Sequence, residues 1–123
     1  MKKLLLILLC LPMIGLGQNV YIPDSIFKAY LTGAGGTGSA IGINTNGDTE
    51  IQISEATAFS GAICCNFLNI SDLTGIEAFT ALTELCCFGN NLTSLDISNN
   101  TALTSLQCQS NQLTSLDVSN NTA

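Results

Sequence analysis

A 21-residue unit that occurs twice in tandem constrains this chain more than any other feature. TALTELCCFGNNLTSLDISNN occupies residues 80–100, and TALTSLQCQSNQLTSLDVSNN occupies residues 101–121. A short repeat of this kind indicates a solenoid, in which each turn buries its apolar edge by stacking on a copy of itself. We therefore expect one hydrophobic core that runs through successive turns.

The differences between the two copies separate the two faces of a strand. Three of the six differences fall at alternate positions, whereas Leu85 and Cys87 between them are repeated. Successive side chains of a strand point to opposite faces, so this alternation indicates a fixed inward face and a variable outward face. We predict that the variable positions form the ligand-binding face, namely Glu84, Cys86 and Phe88 in the first copy and Ser105, Gln107 and Gln109 in the second.

Both copies resemble the leucine-rich repeat pattern LxxLxLxxNxL at all five positions, with Cys as the third apolar residue. The matching residues are Leu82, Leu85, Cys87, Asn90 and Leu92, and then Leu103, Leu106, Cys108, Asn111 and Leu113. The resemblance implies parallel strands along a concave surface and an Asn that turns inward to hydrogen-bond open backbone groups. The expected fold is a leucine-rich repeat solenoid, a β-rich parallel coil of about three turns with a small helical N-terminal cap.

The second half of each unit repeats the spacing LxxLxLxxN, over residues 92–100 and 113–121. This nested pattern predicts two short extended segments back to back in each turn, and it resembles the short bacterial class of these repeats. The alternative, a Leu-rich helix, is opposed by the Asn, Ser, Thr and Gly content. Residues 60–79 are expected to form an irregular first turn, because Leu68 stands where the inward Asn belongs.

Residues 1–17 are typical of a secretory signal peptide. Two lysines precede an apolar run over residues 4–11, and Gly15 and Gly17 place small residues before a cleavage site after Gly17. The alternative is a lipoprotein signal ending at Cys10, although Leu9 stands where a small residue is expected. We predict a secreted or cell-surface protein, and not an integral membrane protein, since no apolar run is long enough to span a bilayer.

The charge balance excludes several classes of partner and activity. The chain has nine acidic residues, three lysines and no His or Arg, and its net charge is −6. Once residues 1–17 are removed, Lys28 is the one basic residue, so nucleic acid is not an expected partner. No Ser or Cys lies in a recognisable nucleophile setting with a base, so we do not expect an enzyme.

Residues 18–59 are predicted to form the N-terminal cap. Asp24 is placed to begin a short helix, and the helix is expected to pack through one apolar face. The residues of that face are Ile26, Phe27, Tyr30 and Leu31. Residues 33–42 are Gly-rich and indicate a loop.

The segment 44–55 resembles an EF-hand calcium loop, because oxygen-bearing residues recur at the ligand spacing. The candidate calcium ligands are Asn44, Asn46, Asp48, Glu50 and Glu55. The match departs from the pattern where Thr49 replaces the turn glycine, and any affinity is expected to be weak, about 10⁻⁴ to 10⁻³ M. The alternative is a plain Asn-Gly turn that leads to a helix at residues 55–59. No other cofactor is expected.

The cysteines fall into two groups. Cys65, Cys87 and Cys108 recur at inward strand positions, where Cys behaves as a small hydrophobic residue. Cys64 and Cys86 are predicted to face outward on neighbouring strands, where an oxidising compartment would allow a disulfide, although side-by-side strand positions fit disulfide geometry poorly. Zinc is disfavoured because CxxC spacing and His are both missing.

Residues 60–123 are thus assigned to leucine-rich repeats, and segments 22–31 and 72–85 also resemble secreted bacterial proteins of this family. We predict a module that binds a protein or glycan through its strand face, with Phe88 as the anchor. The alternatives are a structural or adhesion spacer with a calcium-stabilised cap, or a non-catalytic part of a larger secreted enzyme. The resemblance also leads us to expect an N-terminal fragment, followed after Ala123 by further repeats or a C-terminal sorting domain.

Overall fold

The computed structural model describes residues 18–35 and 42–123. Its elements, in chain order, are helix α1 (Ser25–Thr32), helix α2 (Ile53–Ala58), strand β1 (Ala62–Cys64), a 3-10 helix (Ile76–Ala78), strand β2 (Glu84–Cys86) and strand β3 (Ser105–Gln107). The predicted signal peptide, residues 1–17, and part of the Gly-rich loop lie outside the described residues. Within the described ranges, every helix is too short or too polar to cross a bilayer.

The three strands form one parallel sheet in the order β1-β2-β3, with one strand from each successive turn. Ile63 lies beside Leu85, and Leu85 lies beside Leu106. The side chains of Ile63 and Leu85 are completely buried, and Leu106 packs against the same core. This register confirms the prediction that the inward residues of successive units stack side by side.

The second half of each repeat unit forms no paired β-strand, and the extended segments predicted there stay a prediction. Leu92 and Ile97 are still buried, so the apolar spacing serves the core. At Asp96 the carboxylate accepts hydrogen bonds from the Ser98 N–H at 3.0 Å and the Ser98 hydroxyl at 2.7 Å. Such a local turn competes with strand pairing.

Asn90 confirms the expected inward Asn of the first complete unit. Its Oδ1 accepts hydrogen bonds from the N–H groups of Leu68 and Ile70, at 3.1 and 3.0 Å. Its Nδ2 donates to the carbonyls of Cys65 and Cys87, at 2.8 and 3.0 Å. One buried amide therefore satisfies four backbone groups on two adjacent turns.

Asn111 repeats this arrangement in the next unit. Its Nδ2 donates to the carbonyls of Cys87 and Cys108, both at 2.9 Å, and its Oδ1 accepts from the Leu92 N–H at 3.0 Å. The Cys87 carbonyl thus accepts from both asparagines. Because each Asn bonds to its own turn and to the previous one, the two asparagines fix the stacking of three turns.

A second pair of asparagines joins the turns on the opposite side of the coil. Asn100 donates to the carbonyls of Ile76 and Phe79, both at 2.9 Å. Asn121 donates to the carbonyls of Ile97 and Asn100, at 3.0 and 2.9 Å. The coil is therefore joined by side-chain amides along both edges of the stack.

Helix α1 begins at the predicted cap, because Asp24 Oδ1 accepts from the Ile26 and Phe27 N–H groups at 2.9 and 3.0 Å. Asp24 Oδ2 accepts from the N–H groups of Ser71 and Asp72, at 2.9 and 3.2 Å. One carboxylate thus starts the helix and ties it to the first turn of the coil.

The apolar face of α1 is narrower than predicted. Phe27, Tyr30 and Leu31 are buried, whereas Ile26 is 43% exposed. Residues 27, 30 and 31 follow the helical spacing of three and four, which leaves Ile26 about 100° away from Phe27 around the helix axis.

Tyr30 covers the free edge of β1. The Cys65 N–H donates to the Cys86 carbonyl in β2 at 2.8 Å, so the preceding Cys64 N–H points away from the sheet. That N–H donates to the Tyr30 hydroxyl at 3.1 Å. An edge N–H that would otherwise be open for pairing with another chain is therefore satisfied by the helix.

Helix α2 spans Ile53–Ala58 and therefore begins and ends earlier than the predicted helix at residues 55–59. The physical reason is a capping box at Gln52. Glu55 Oε2 accepts from the Gln52 N–H at 3.0 Å, which fixes the first turn two residues before Glu55.

We predict that Asn90→Ala lowers the free energy of unfolding by about 3 kcal/mol. It removes partners from the backbone groups around Leu68 and Cys65, and an unsatisfied buried group costs about 1–3 kcal/mol. Urea unfolding followed by circular dichroism measures the loss. Asn91→Ala is the matched control, since the neighbouring Asn91 is exposed. Equal stability of the two variants would contradict the role of Asn90.

We also predict that Tyr30→Phe destabilises the protein by about 1 kcal/mol, because it removes the acceptor of the Cys64 N–H. Tyr21→Phe removes the same hydroxyl from a side chain that is 74% exposed, and it should leave the unfolding midpoint unchanged. If both variants unfold at the wild-type urea concentration, the Tyr30 hydroxyl does not stabilise the edge.

Candidate functional site

The outer face of the three-stranded sheet is the candidate site, and we call it the strand face. The pairing sets Glu84 beside Ser105 and Cys86 beside Gln107. Phe88 and Gln109 follow β2 and β3, where the Gly89 N–H donates to the Gln109 carbonyl at 3.1 Å. The structure therefore brings all six predicted strand-face residues to adjacent turns.

An aromatic pair lies at one end of the strand face. The rings of Phe67 and Phe88 have centroids 4.7 Å apart and meet edge to face at 85°. Phe88 is half-buried, whereas Phe67 is 70% exposed. Sequence analysis selected Phe88 and missed Phe67, which is the more accessible ring.

The backbone of adjacent turns holds the aromatic pair in place. Phe67, Gly89 and Ser110 are equivalent positions in successive turns, and all three have positive φ, at 55°, 69° and 57°. The Phe67 ring lies over Gly89, where any Cβ would collide with it. The Phe67 N–H donates to the Phe88 carbonyl at 3.1 Å, and the Phe88 N–H donates to Asn66 Oδ1 at 3.0 Å.

The alignment of Phe67 with Gly89 at a 22-residue offset was the signal that could have identified Phe67. Because glycine has no side chain, a large side chain at the equivalent position of the previous turn has room to cover it. Its left-handed backbone, unusual for a bulky residue, also marks the position.

Cys86 lies on the strand face beside Cys64, but neighbouring side chains cover it and it is only 4% exposed. It occupies the central strand between Cys64 and Gln107, with Glu84 before it on the same face. The Cys86 thiol donates to Glu84 Oε1 at 3.4 Å. Burial raises the pKa of Cys86 well above its ordinary value, and hydrogen bonding to Cys64 and Glu84 raises it further.

The inward cysteines behave as the sequence predicted. Cys65 and Cys87 are completely buried, and burial, with a smaller contribution from neighbouring thiols, raises the pKa of each to about 12. Cys108 lies at the same position in the last turn and is half-buried. All three side chains pack against the core as small apolar groups.

The predicted calcium loop forms a compact network of internal hydrogen bonds. Asn44 Oδ1 accepts from the Gly47 N–H at 2.9 Å, and Asp48 Oδ1 accepts from the Glu50 N–H at 2.8 Å. The Glu50 carboxylate pairs with Lys28 at 2.6 Å. Calcium binding here stays a prediction.

Glu55 and Asn46 close this loop onto α2. Glu55 Oε1 accepts from the Thr45 N–H and hydroxyl at 2.7 and 2.8 Å. Asn46 Nδ2 donates to Asp48 Oδ2 at 3.0 Å and to Gln52 Oε1 at 2.7 Å. Most donors of the loop are thus matched to its own side-chain oxygens.

Asp96 and Asp117 occupy equivalent exposed positions in successive turns. Hydrogen bonds from the hydroxyl and the N–H of Ser98 hold the pKa of Asp96 below its ordinary value, and those of Ser119 do the same for Asp117. Both are exposed turn residues, and the same hydrogen bonds that lower their pKa values fix the turn in each unit.

Similarity to known proteins is found for most of the described chain. Internalin J of Listeria monocytogenes is 42% identical over 52 residues, which is 42% of this chain and 6% of that protein. The solved functional domain of InlJ from Listeria monocytogenes, which includes a cysteine ladder, matches with a TM-score of 0.68 and 36% identity over 85% of this chain. The chain is a bacterial leucine-rich repeat protein.

The solved InlF internalin of Listeria monocytogenes shares the fold, with a TM-score of 0.67 and 18% identity over 87% of this chain. No protein-family model matches this leucine-rich repeat protein. It spans 22% of the InlJ domain and 30% of the InlF chain. In this protein, Cys65, Cys87 and Cys108 occupy one core position in successive turns.

We predict that the stabilising effect of Glu55 disappears at low pH. Burial alone would raise its pKa, but hydrogen bonds from the Gln52, Thr45 and Asn46 backbone and the Thr45 hydroxyl outweigh it and hold the pKa below the ordinary 4.5. A depressed folded pKa gives stability that is present above about pH 4.5 and is lost as pH falls through the folded value.

Thermal unfolding of wild type and Glu55→Gln across this pH range measures the effect. The wild-type advantage should be full near neutral pH and shrink progressively below pH 4.5. If the difference in melting temperature between wild type and Glu55→Gln is the same at every pH, the prediction is wrong.

Proposed function

We propose that this protein is an exported binding module whose strand face takes up a protein ligand, with Phe67 and Phe88 together as the anchor. The observation that carries the proposal is the exposed Phe67 ring, which meets Phe88 edge to face and is held over Gly89. Aromatic residues in rigid positions are typical of the few residues that supply most of the energy of an interface.

The anchor is pre-organised, which favours binding. Phe67 and Phe88 are joined by ring contact, by a backbone hydrogen bond and through Asn66. Little side-chain entropy is then lost when a ligand covers the rings, whereas an isolated mobile side chain would lose about 0.5–1.5 kcal/mol.

Polar residues surround the anchor on the last turn. Gln107 and Gln109 are exposed and Ser105 is half-buried, so their amides and hydroxyl are accessible beside the aromatic pair. An apolar centre with a hydrogen-bonding rim is the usual arrangement of a protein interface.

A protein ligand fits this surface better than a glycan. The two rings meet edge to face and do not form a flat double platform for stacking against sugar rings. The strand face is also part of an open sheet and not of an enclosed pocket. A folded protein surface with an apolar side chain for the wedge between Phe67 and Phe88 is the expected partner.

Residues 18–59 are proposed to cap the coil so that this face is presented in a stable form. Support comes from Tyr30, which satisfies the β1 edge, and from Asp24, which joins α1 to the first turn. We also propose export through a signal peptide that ends at Gly17. Leu9 stands where a lipoprotein signal ending at Cys10 needs a small residue, which favours cleavage after Gly17.

The test is binding of the purified chain to arrays of extracellular proteins and, in parallel, of glycans. We expect a saturable protein ligand whose affinity falls at least about tenfold in the Phe67→Ala, Phe88→Ala double variant, since a hot-spot residue contributes about 2 kcal/mol or more. Tyr21→Ala removes an equally exposed aromatic side chain from the cap and should bind as wild type.

Unchanged affinity in the double variant would remove the aromatic pair as the anchor. Saturable binding only on the glycan array would assign the face to carbohydrate. No saturable ligand in either array would favour the structural spacer as the function.

A further inference from the structure

Three potential metal ligands converge on the strand face at the β1–β2 step. The sulfur atoms of Cys64 and Cys86 and a carboxylate oxygen of Glu84 all lie within 4.8 Å of one another. Among the residues that the structure describes, this is the one group of three or more His, Cys, Asp or Glu side chains with that spacing. We call it the Cys64–Glu84–Cys86 cluster.

The sheet geometry creates the cluster. Cys64 and Cys86 are direct partners across two parallel strands, and Glu84 precedes Cys86 by two residues, so all three side chains are on the same face. Neighbouring strands lie about 4.8 Å apart, and two thiolates on a tetrahedral zinc ion with Zn–S bonds of about 2.3 Å are about 3.8 Å apart. Small rotations of the Cys side chains are enough to reach that separation.

We propose that Cys64, Glu84 and Cys86 bind one thiophilic divalent cation of the Zn²⁺ class, with a fourth position open to solvent. Two thiolates and a carboxylate suit the borderline-soft Zn²⁺ ion better than Ca²⁺ or Mg²⁺. As the ion binds, each thiol forms a metal–sulfur bond and releases its proton to water.

The surroundings favour a cation. Lys28 is the one basic residue among the described residues, and it is paired with Glu50, so no amine neutralises Glu84. Cys86 is nearly buried while Cys64 is exposed, which leaves an approach from solvent on one side of the cluster. The Tyr30 hydroxyl accepts a hydrogen bond from the Cys64 N–H and thereby fixes the backbone at Cys64, one of the proposed metal ligands.

The local spacing of the cysteines disfavours zinc, because no single segment has the CxxC pattern or a His. The metal ligands come instead from two turns, and the 22-residue repeat sets them side by side. No zinc motif in the sequence would include residues 64, 84 and 86 together.

The cluster is tested by titrating the reduced full chain with Cd²⁺, a spectroscopic substitute for Zn²⁺, and by measuring the melting temperature with and without Zn²⁺. We expect a saturable thiolate-to-metal charge-transfer absorption at one equivalent, and a higher melting temperature with Zn²⁺. Cys64→Ser, at an exposed position, should fold normally and lose both effects. Glu84→Gln should weaken binding by about tenfold or more.

Cys108→Ala is the matched control, because it removes a half-buried thiol from the opposite face of the sheet and should keep both effects. Each variant keeps the remaining cysteines, so a difference in metal binding between Cys64→Ser and Cys108→Ala reports on the cluster alone. The proposal is overturned if wild type gives no saturable absorption, if Cys64→Ser binds like wild type, or if Cys108→Ala loses binding to the same extent. It is also overturned if Cys64 and Cys86 form a disulfide that persists in reductant.

Discussion

The side-chain amide of Asn90 is the interaction on which the coil depends. Where the chain leaves a short strand, the backbone groups of two turns would be buried without partners, and each would cost about 1–3 kcal/mol. Asn90 supplies two acceptor and two donor contacts to those groups. Asn111 supplies one acceptor and two donor contacts to the next turn, so the backbone of a very small unit can stay buried.

The asparagines on the opposite side are less completely bonded. Asn100 and Asn121 use both N–H groups on carbonyls, but the Oδ1 atoms are buried without a hydrogen-bond partner among the described residues. Each carbonyl that receives these N–H groups also accepts a hydrogen bond from a backbone N–H, so the side-chain amides add a second bond that crosses from one turn to the next. The carbonyls are those of Ile76, Phe79, Ile97 and Asn100.

Two sets of residues are thus distinguished in the coil, those that fix its turns and those on the outer face of its strands. The leucines, inward cysteines and amides fix the register, and the alternate side chains of the strands are then free to carry other chemistry. Phe67 with Phe88 and the Cys64–Glu84–Cys86 cluster both lie on that face. Neither is required to hold the turns together, since the core and the Asn contacts lie on the other side of the sheet.

Two residues join helix α1 to the first turn of the coil by hydrogen bonds. A sheet edge is exposed to pairing with other chains unless its N–H groups are covered. Tyr30 satisfies one of them, and Asp24 bonds to the backbone of the first turn at Ser71. Both residues belong to α1 or its cap, so the helix and the first turn are stabilised together.

Much of the fold could be predicted because a repeat fixes equivalent environments. The alternation around Leu85, the inward Asn90 and the start of α1 at Asp24 follow from local periodicity and local hydrogen-bonding chemistry. The nested apolar spacing correctly marked Leu92 and Ile97 as core residues, but it did not lead to a second paired strand.

What the sequence alone determined was therefore the register: which residues face inward, and which positions lie beside one another in successive turns. Only the tertiary structure decided how far each outward side chain is covered. Cys86 is buried and Phe67 exposed because their accessibility depends on neighbours 20 or more residues away, such as Cys64 and Gly89. The period of the sequence specifies the face of the strand to which each side chain points, whereas the burial of that side chain is set by packing between turns.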